Sequence, residues 1–357
     1  MSESLEAVSI ARTVTVERWR RPGLWYVAQR LAAAVVVLFV VVSVTFLLAH
    51  AIPADPARAA AGLHAGAAQV AAVARQLGLD RPLWDQYVSY IRGVLQGNLG
   101  ISYLSREPIA PQLFSVLPAT LELVFYSFVL CAVLGVITGM FAAWRPRHPG
   151  TRVARATSLV GASLPVFWFA LMLQLWLGSR LAWFPIDGRL DLTINPPPDV
   201  TGFYTIDSLL AGQWSTFVNA AQHLVLPVIS LVAWMFALTT RVSEKAVGAE
   251  LARPYVETAV ARGVRPSRLL WRHVMRNAAN PIITVLGLQF GWLLGGTVLV
   301  EVVYSWGGIG SYMYNALQNF DYPVIVAVTL VITVGFVVVN LIVDLLYPVI
   351  DPRARSH

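Results

Sequence analysis

The side chains able to do chemistry are few and scattered. Glu122, Glu301 and Asp344 lie within or at the ends of long apolar runs. A carboxylate there marks an ion or substrate pathway unless neighbouring groups or water satisfy it. All three sit near the end of a run, which favours hydrogen bonds between helices or end-of-span hydration over contact with a transported proton or substrate. The single lysine, Lys245, follows Glu244 and precedes Ala246, so the Gly-Lys-Ser/Thr step of a phosphate-binding P-loop is missing. With one cysteine, Cys131, neither an intrachain disulfide nor a CxxC zinc site can form. The six histidines, His50, His64, His148, His223, His273 and His357, show no ligand spacing such as HExxH. No Ser/His, paired-Asp or metal constellation suggests an intramembrane hydrolase. These residues point to a non-catalytic chain with no cofactor and no metal.

The elements that must position these groups follow from composition. Of 357 residues, 57% are hydrophobic and 13% charged, and the mean hydropathy is +0.64. Soluble domains carry roughly 25% charged residues, so a soluble enzyme and a disordered chain are both excluded. A helix needs about 20 apolar residues to cross a bilayer. Six segments supply them, at 31–49, 119–143, 156–178, 224–240, 281–300 and 324–343. The runs are continuous rather than alternating, which excludes a β-barrel. The expected fold is an all-α polytopic membrane protein with six transmembrane helices. The fourth run is the shortest and contains Pro227.

A net charge of +7 and a pI near 9.8 would suggest nucleic acid in a soluble chain. Here most of the basic residues fall in alternate loops. The positive-inside rule then puts both termini in the cytoplasm and makes the charge topological, so no nucleic-acid partner is expected. Ala49-His50-Ala51 resembles a signal-peptidase site, but the preceding run is longer than a usual signal core and starts only at residue 31. A retained signal-anchor helix is expected, not a mature chain beginning near Ile52.

Between the spans, residues 1–23 form a polar cytoplasmic extension, and 351–357 a cytoplasmic tail. The membrane domain covers 24–350. It includes an outer region at 52–117, a second outer loop at 181–222 stiffened by Pro196-Pro197-Pro198, and a Gly- and aromatic-rich outer loop at 304–322. Helices are expected over Ala67–Leu77, ending at Gly78, and from Arg81-Pro82 to about Leu95. Gly97-Asn98-Leu99-Gly100 then turns the chain. The longest cytoplasmic loop is 241–280. Within it Pro254 can open a helix and Gly263 can end it. Tyr255, Val256, Ala259 and Val260 share one face, with Glu257, Ala261 and Arg262 directed elsewhere. Physics alone leaves two uses for such an apolar knob with charged edges. It could lie on anionic lipid or dock on a partner.

Glu257-Thr258-Ala259, three residues and Gly263 resemble the EAA-x3-G loop of binding-protein-dependent ABC importer permeases, with Thr in place of the second-position Ala. Other segments are similar to the oligopeptide/dipeptide/nickel branch of that family, in order along the chain. They are GLDRPLWDQY (78–87), GNLGISY (97–103), LPATLEL (117–123), SLPVFWFAL (163–171), HLVLP (223–227), VEVVYSWGGIGSY (300–312), DYPV (321–324) and VDLLYPVIDPR (343–353). One departure is Gly307, where the family usually has proline.

The resemblance implies a type I ABC importer permease fold in a prokaryotic plasma membrane. It further implies half of a heterodimer with a second homologous permease, two cytoplasmic ABC ATPases and an extracytoplasmic substrate-binding protein. Tyr255, Glu257, Thr258, Ala259, Arg262 and Gly263 would form the coupling helix. Gly287, Gly291 and Gly295, spaced four apart, would pack helices or line the pathway, as would Glu301; Gly135 and Gly139 repeat the spacing in the second span. Trp84 and Trp306 are candidate contacts for the binding protein. Di- or oligopeptides are the expected cargo. A nickel or other metal chelate is the alternative, and an ion-coupled carrier the reading from another class.

Overall fold

The computed structural model describes residues 24–51, 56–61, 65–76 and 78–350, with the side chains of 24–27, 48–51, 56, 59–60, 76 and 344–350 excepted. The expected N-terminal extension, the C-terminal tail and the side chain of Asp344 lie outside the described residues.

Helix α1 (Leu24–Ala51) is followed by three short helices, α2 (Pro56–Ala61), α3 (Ala67–Gln76) and α4 (Leu83–Leu95). Gly78, Gly97 and Gly100 adopt positive φ after α3 and α4, which supplies the expected turns. Then come α5 (Ile109–Trp144), α6 (Pro149–Ser163), and α7 (Val166–Leu173), which runs on as a π-helical turn over Gln174–Arg180. After α8 (Tyr204–Leu210) the longest helix, α9 (Trp214–Leu251), leads to the short α10 (Pro254–Ala261). The chain returns through α11 (Pro266–Arg268), a π-helical turn over Leu269–Val274, and α12 (Met275–Gly296). It finishes with α13 (Val298–Val303), α14 (Ile309–Gln318) and α15 (Tyr322–Ile350). Among the described residues there is no strand beyond one isolated bridge, Ile101 to Pro108.

Among the described residues, five helical stretches are long and apolar enough to cross a membrane, within α1, α5, α9, α11–α12 and α15. The third expected span, 156–178, is not one helix. It is broken between α6 and α7, which are bent by 108°. Pro165 disfavours helical backbone at the residue before it, and Leu164 is extended, with φ −92 and ψ 136. At 15 residues, α6 reaches only about 22 Å, less than the ~30 Å hydrocarbon core.

The fourth span also differs. It is the longest helix, 38 residues, because polar residues 241–251 continue it and Pro227 is absorbed inside it. Hydropathy stops where charge begins; the hydrogen-bond ladder does not. The expected loop of 241–280 therefore begins as a continuation of α9, helical through Leu251.

Between membrane helices, close approach and polar contacts replace the hydrophobic drive. Helices α5 and α9 form the central pair. A Cβ on Gly139 would stand 2.5 Å from the carbonyl oxygen of Thr240 and 2.6 Å from Ser243 Cβ. On Gly135 it would stand 2.7 Å from Thr239 Cγ2. Helix α12 joins this pair through Gln289. Thr239 Oγ1 donates to Gln289 Oε1 (2.7 Å), and Gln289 Nε2 donates to the Met235 carbonyl (2.9 Å).

Candidate functional site

At one end of the bundle sits α10. Arg253 is extended and Pro254 occupies the first turn, where its missing N–H costs nothing. Gly263, at φ +70, closes the helix in the left-handed region that side chains disfavour. Val256 is buried, and Tyr255 and Ala259 pack with it against Val247, Leu251, Leu269, Val274 and Ala278. The Tyr255 hydroxyl donates to Glu250 Oε2 of α9 (3.0 Å) and accepts from Asn277 Nδ2 of α12 (3.4 Å). Burial is the main cause that pushes this phenol above its usual range. One side chain thus ties α10 to two membrane helices.

Two sequence expectations change here. Val260 does not join the apolar face; it is 60% exposed. The apolar face is not free for a partner either, because the chain's own helices cover it. What remains open is Glu257, Thr258, Val260, Ala261, Arg262 and Gly263.

At the opposite end, segments far apart in sequence meet around three buried carboxylates. Glu122 is 1% exposed. Its Oε2 accepts from Arg189 Nη2 at 2.6 Å, and its Oε1 from the Thr205 N–H (2.9 Å) and Oγ1 (2.7 Å). Arg189 also donates to the Gly202 carbonyl (2.7 Å) and lies 3.6 Å from the centre of the Tyr204 ring. Glu301, fully buried in α13, accepts from Thr120 Oγ1 (2.7 Å) and from the N–H groups of Gly310 (2.9 Å) and Ser311 (3.2 Å). Thr120 Oγ1 in turn accepts from the Ile309 N–H (2.8 Å). A Cβ on Gly308 would collide with Thr120 and Glu301. Asp321 accepts from Ser102 Oγ (2.5 Å) and from the N–H groups of Tyr103 (3.0 Å) and Leu104 (3.2 Å).

So LPATLEL meets VEVVYSWGGIGSY, and GNLGISY meets DYPV. Glu122 and Glu301 are both hydrogen-bonded by protein groups. Arg189 and Asp321 were not singled out from the sequence. Each is an ordinary charge in a loop until its partner is known. The nearest signal is position alone: Arg189 lies in the 181–222 loop and Asp321 in the Gly- and aromatic-rich 304–322 loop.

Trp306 is not exposed. At 2% exposure its indole N–H donates to the Ala119 carbonyl (2.8 Å), and a protein partner cannot reach it. The residues around it explain this: the turn through Gly307, at φ +74, folds the Trp back over α5. Trp84 is 70% exposed on α4. In α12, a Cβ on Gly287 would collide with Val343, and one on Gly291 would stand 2.6 Å from Phe336. Gly295 is looser, 4.0 Å from Ile332. This glycine face is therefore turned toward α15 of the same chain. Among the described residues, no three His, Cys, Asp or Glu side chains gather as metal ligands.

Comparison with known proteins agrees with this architecture. Residues 135–356 match the model of the binding-protein-dependent transport system inner membrane component, and residues 24–124 match its N-terminal companion. The chain is 38% identical over 335 residues to the di/tripeptide transport system permease protein DppB of Pseudomonas aeruginosa, covering 94% of this chain and 99% of that one. It is 39% identical to the probable D,D-dipeptide transport system permease protein DdpB of Escherichia coli, over 91% and 96%. To the glutathione transport system permease protein GsiC of Escherichia coli it is 36% identical, over 92% and 98%. The chain therefore belongs to the binding-protein-dependent transport system inner membrane component family, in the branch that holds the dipeptide permeases, and is a multi-pass inner-membrane protein with the type I ABC importer permease fold.

Proposed function

We propose that this chain is a permease subunit of an ATP-driven importer of dipeptides and other short peptides. It forms half of the translocation pathway with a second, homologous permease, and sits on two cytoplasmic ATPases. An extracytoplasmic binding protein delivers the cargo, and both termini of this chain are cytoplasmic. The cargo class rests on the relatives, whose names specify dipeptides, di/tripeptides and glutathione.

The observation that carries the mechanism is the free face of α10. Its apolar side is held by α9 and α12, while Glu257, Thr258, Val260, Ala261 and Arg262 stand open. Such a helix transmits force. An ATPase that closes on ATP displaces α10, and the Tyr255 link carries the displacement into both helices. The bundle then rocks between inward- and outward-open states as packed bodies. The chain supplies differential contact with two states of the motor and no hydrolytic group. Glu122 and Glu301 fix the outer helix ends rather than touch cargo.

The test is dipeptide uptake into proteoliposomes holding both permeases, with and without the ATPases and ATP. Glu257→Lys is expected to leave insertion and assembly intact while separating ATP hydrolysis from uptake. Uptake without the ATPases would mean an ion-coupled carrier; unaltered coupling in Glu257→Lys would remove α10 from the transmission path.

A further inference from the structure

Helix α4 carries an apolar stripe that the described residues leave open at Trp84, Val88 and Leu95, with Ile91 half-buried. Its residues Trp84, Val88, Ile91 and Leu95 recur at i, i+4, i+7 and i+11, the spacing of one helical face. No residue of α4 is buried; Leu95 is 82% exposed. The neighbouring stripe, Asp85, Ser89 and Arg92, is polar. A third face meets α1. The Tyr87 hydroxyl is 2.6 Å from Ser43 Oγ, and that of Tyr90 is 3.4 Å from Thr45 Oγ1. Phe46 packs edge-on against the Tyr87 ring at 5.2 Å and tilted against the Tyr90 ring at 5.7 Å.

These contacts fix the depth of α4. The apolar window of α1 runs over Ala28–Leu47, so Ser43, Thr45 and Phe46 lie inside it. Ser43 is about 6 Å short of its end at 1.5 Å per residue. A helix packed there sits at the boundary between headgroups and hydrocarbon. Amphipathic helices bury their apolar face at that depth, and Trp concentrates there. Around the contact, α1 exposes Val40, Val44 and Leu47, a surface that a membrane-spanning helix shows to lipid.

We propose that α4 is anchored in the membrane leaflet at the C-terminal end of α1, through Trp84, Val88, Ile91 and Leu95. The stripe binds lipid, not the substrate-binding protein. The helix then clamps α1 in register with the interface while its polar stripe faces water. This rests on the membrane-spanning character of α1 and not on the cargo.

Spin labels test it in the full-length chain with its partner subunits, in nanodiscs of phosphatidylethanolamine and phosphatidylglycerol. Trp84→Cys, Leu95→Cys and Arg92→Cys are each made on a Cys131→Ser background. Accessibility is read against oxygen, which enters lipid, and a water-soluble nickel chelate, which does not. Oxygen is expected to exceed the chelate at positions 84 and 95, with the order reversed at 92. Because 84 and 95 report independently, poor folding of one variant leaves the other decisive. Chelate access at those positions would place the stripe in water, where a binding protein could reach it. Exclusion of both reagents would place protein over it. Either result overturns the proposal.

Discussion

Single residues hold the end of the bundle opposite α10, and their energetics are those of buried charge. The Glu122–Arg189 pair is nearly sealed. Removing one member of such a pair leaves the other unpaired and typically costs 3–5 kcal/mol. Glu122→Gln and Arg189→Gln are each expected to destabilise the protein by an amount of that order, read as a lower thermal unfolding midpoint in detergent. The double variant should lose clearly less than the sum, which a double-mutant cycle followed by intrinsic fluorescence would measure. Asp207 adds a pH dependence. Burial works to raise its pKa, but hydrogen bonds from Thr201, Val200 and Gly202 outweigh burial and hold the carboxyl below its ordinary range. A depressed folded pKa means the contribution is complete above the unfolded value and is lost as pH falls through the folded one. Proteolysis within 200–210 should therefore accelerate only on acidification below the ordinary carboxylate range, and Asp207→Asn should flatten that dependence.

Elements are set by how closely backbones approach. The α12–α15 seam makes a graded prediction, since its glycines are not equivalent. Gly291→Ala drives a methyl into Phe336, and overpacking of this kind costs about 1–3 kcal/mol. Gly295→Ala meets ordinary contact with Ile332, and alanine gains up to about 1 kcal/mol of helix propensity over glycine. Thermal unfolding of the two variants should shift in opposite directions; a matching gain at both positions would mean the seam is loose. At this scale the sequence was legible in part. Pro254 and Gly263 bracket α10 because proline and glycine act locally. The break at Leu164–Pro165 was hidden, because an apolar run reads the same whether it is straight or bent. The continuation of α9 through 241–251 was hidden for the converse reason: a helix leaving the membrane loses its hydropathy but keeps its hydrogen bonds.

For the whole molecule, the proposed coupling role requires a push on α10 to reach the opposite end. The hydrogen bonds that join α10, α9 and α12 offer the route, Tyr255 at one end and Thr239, Gln289 and Met235 further along. Tyr255→Phe keeps the packing of α10 and removes both hydrogen bonds of the link, each worth about 0.5–1.5 kcal/mol. Assembly is expected to survive, while dipeptide uptake per ATP hydrolysed falls. That ratio, measured in proteoliposomes, separates a transmitting residue from one that merely stabilises.

The sequence by itself determined that the chain lives in a membrane, which loops are basic, that no P-loop is present, and where α10 starts and stops. These follow from composition and from local backbone rules, which need no knowledge of neighbours. Only the tertiary structure decided what faces what. It turned Trp306 inward and Val260 outward, paired Glu122 with Arg189 across 67 positions, and set the glycines of α12 against α15. A buried charge, an indole or a glycine has no intrinsic address. Its role is fixed by the partner brought to it, and in a bilayer, where apolar residues are at home on every side, hydropathy does not name that partner.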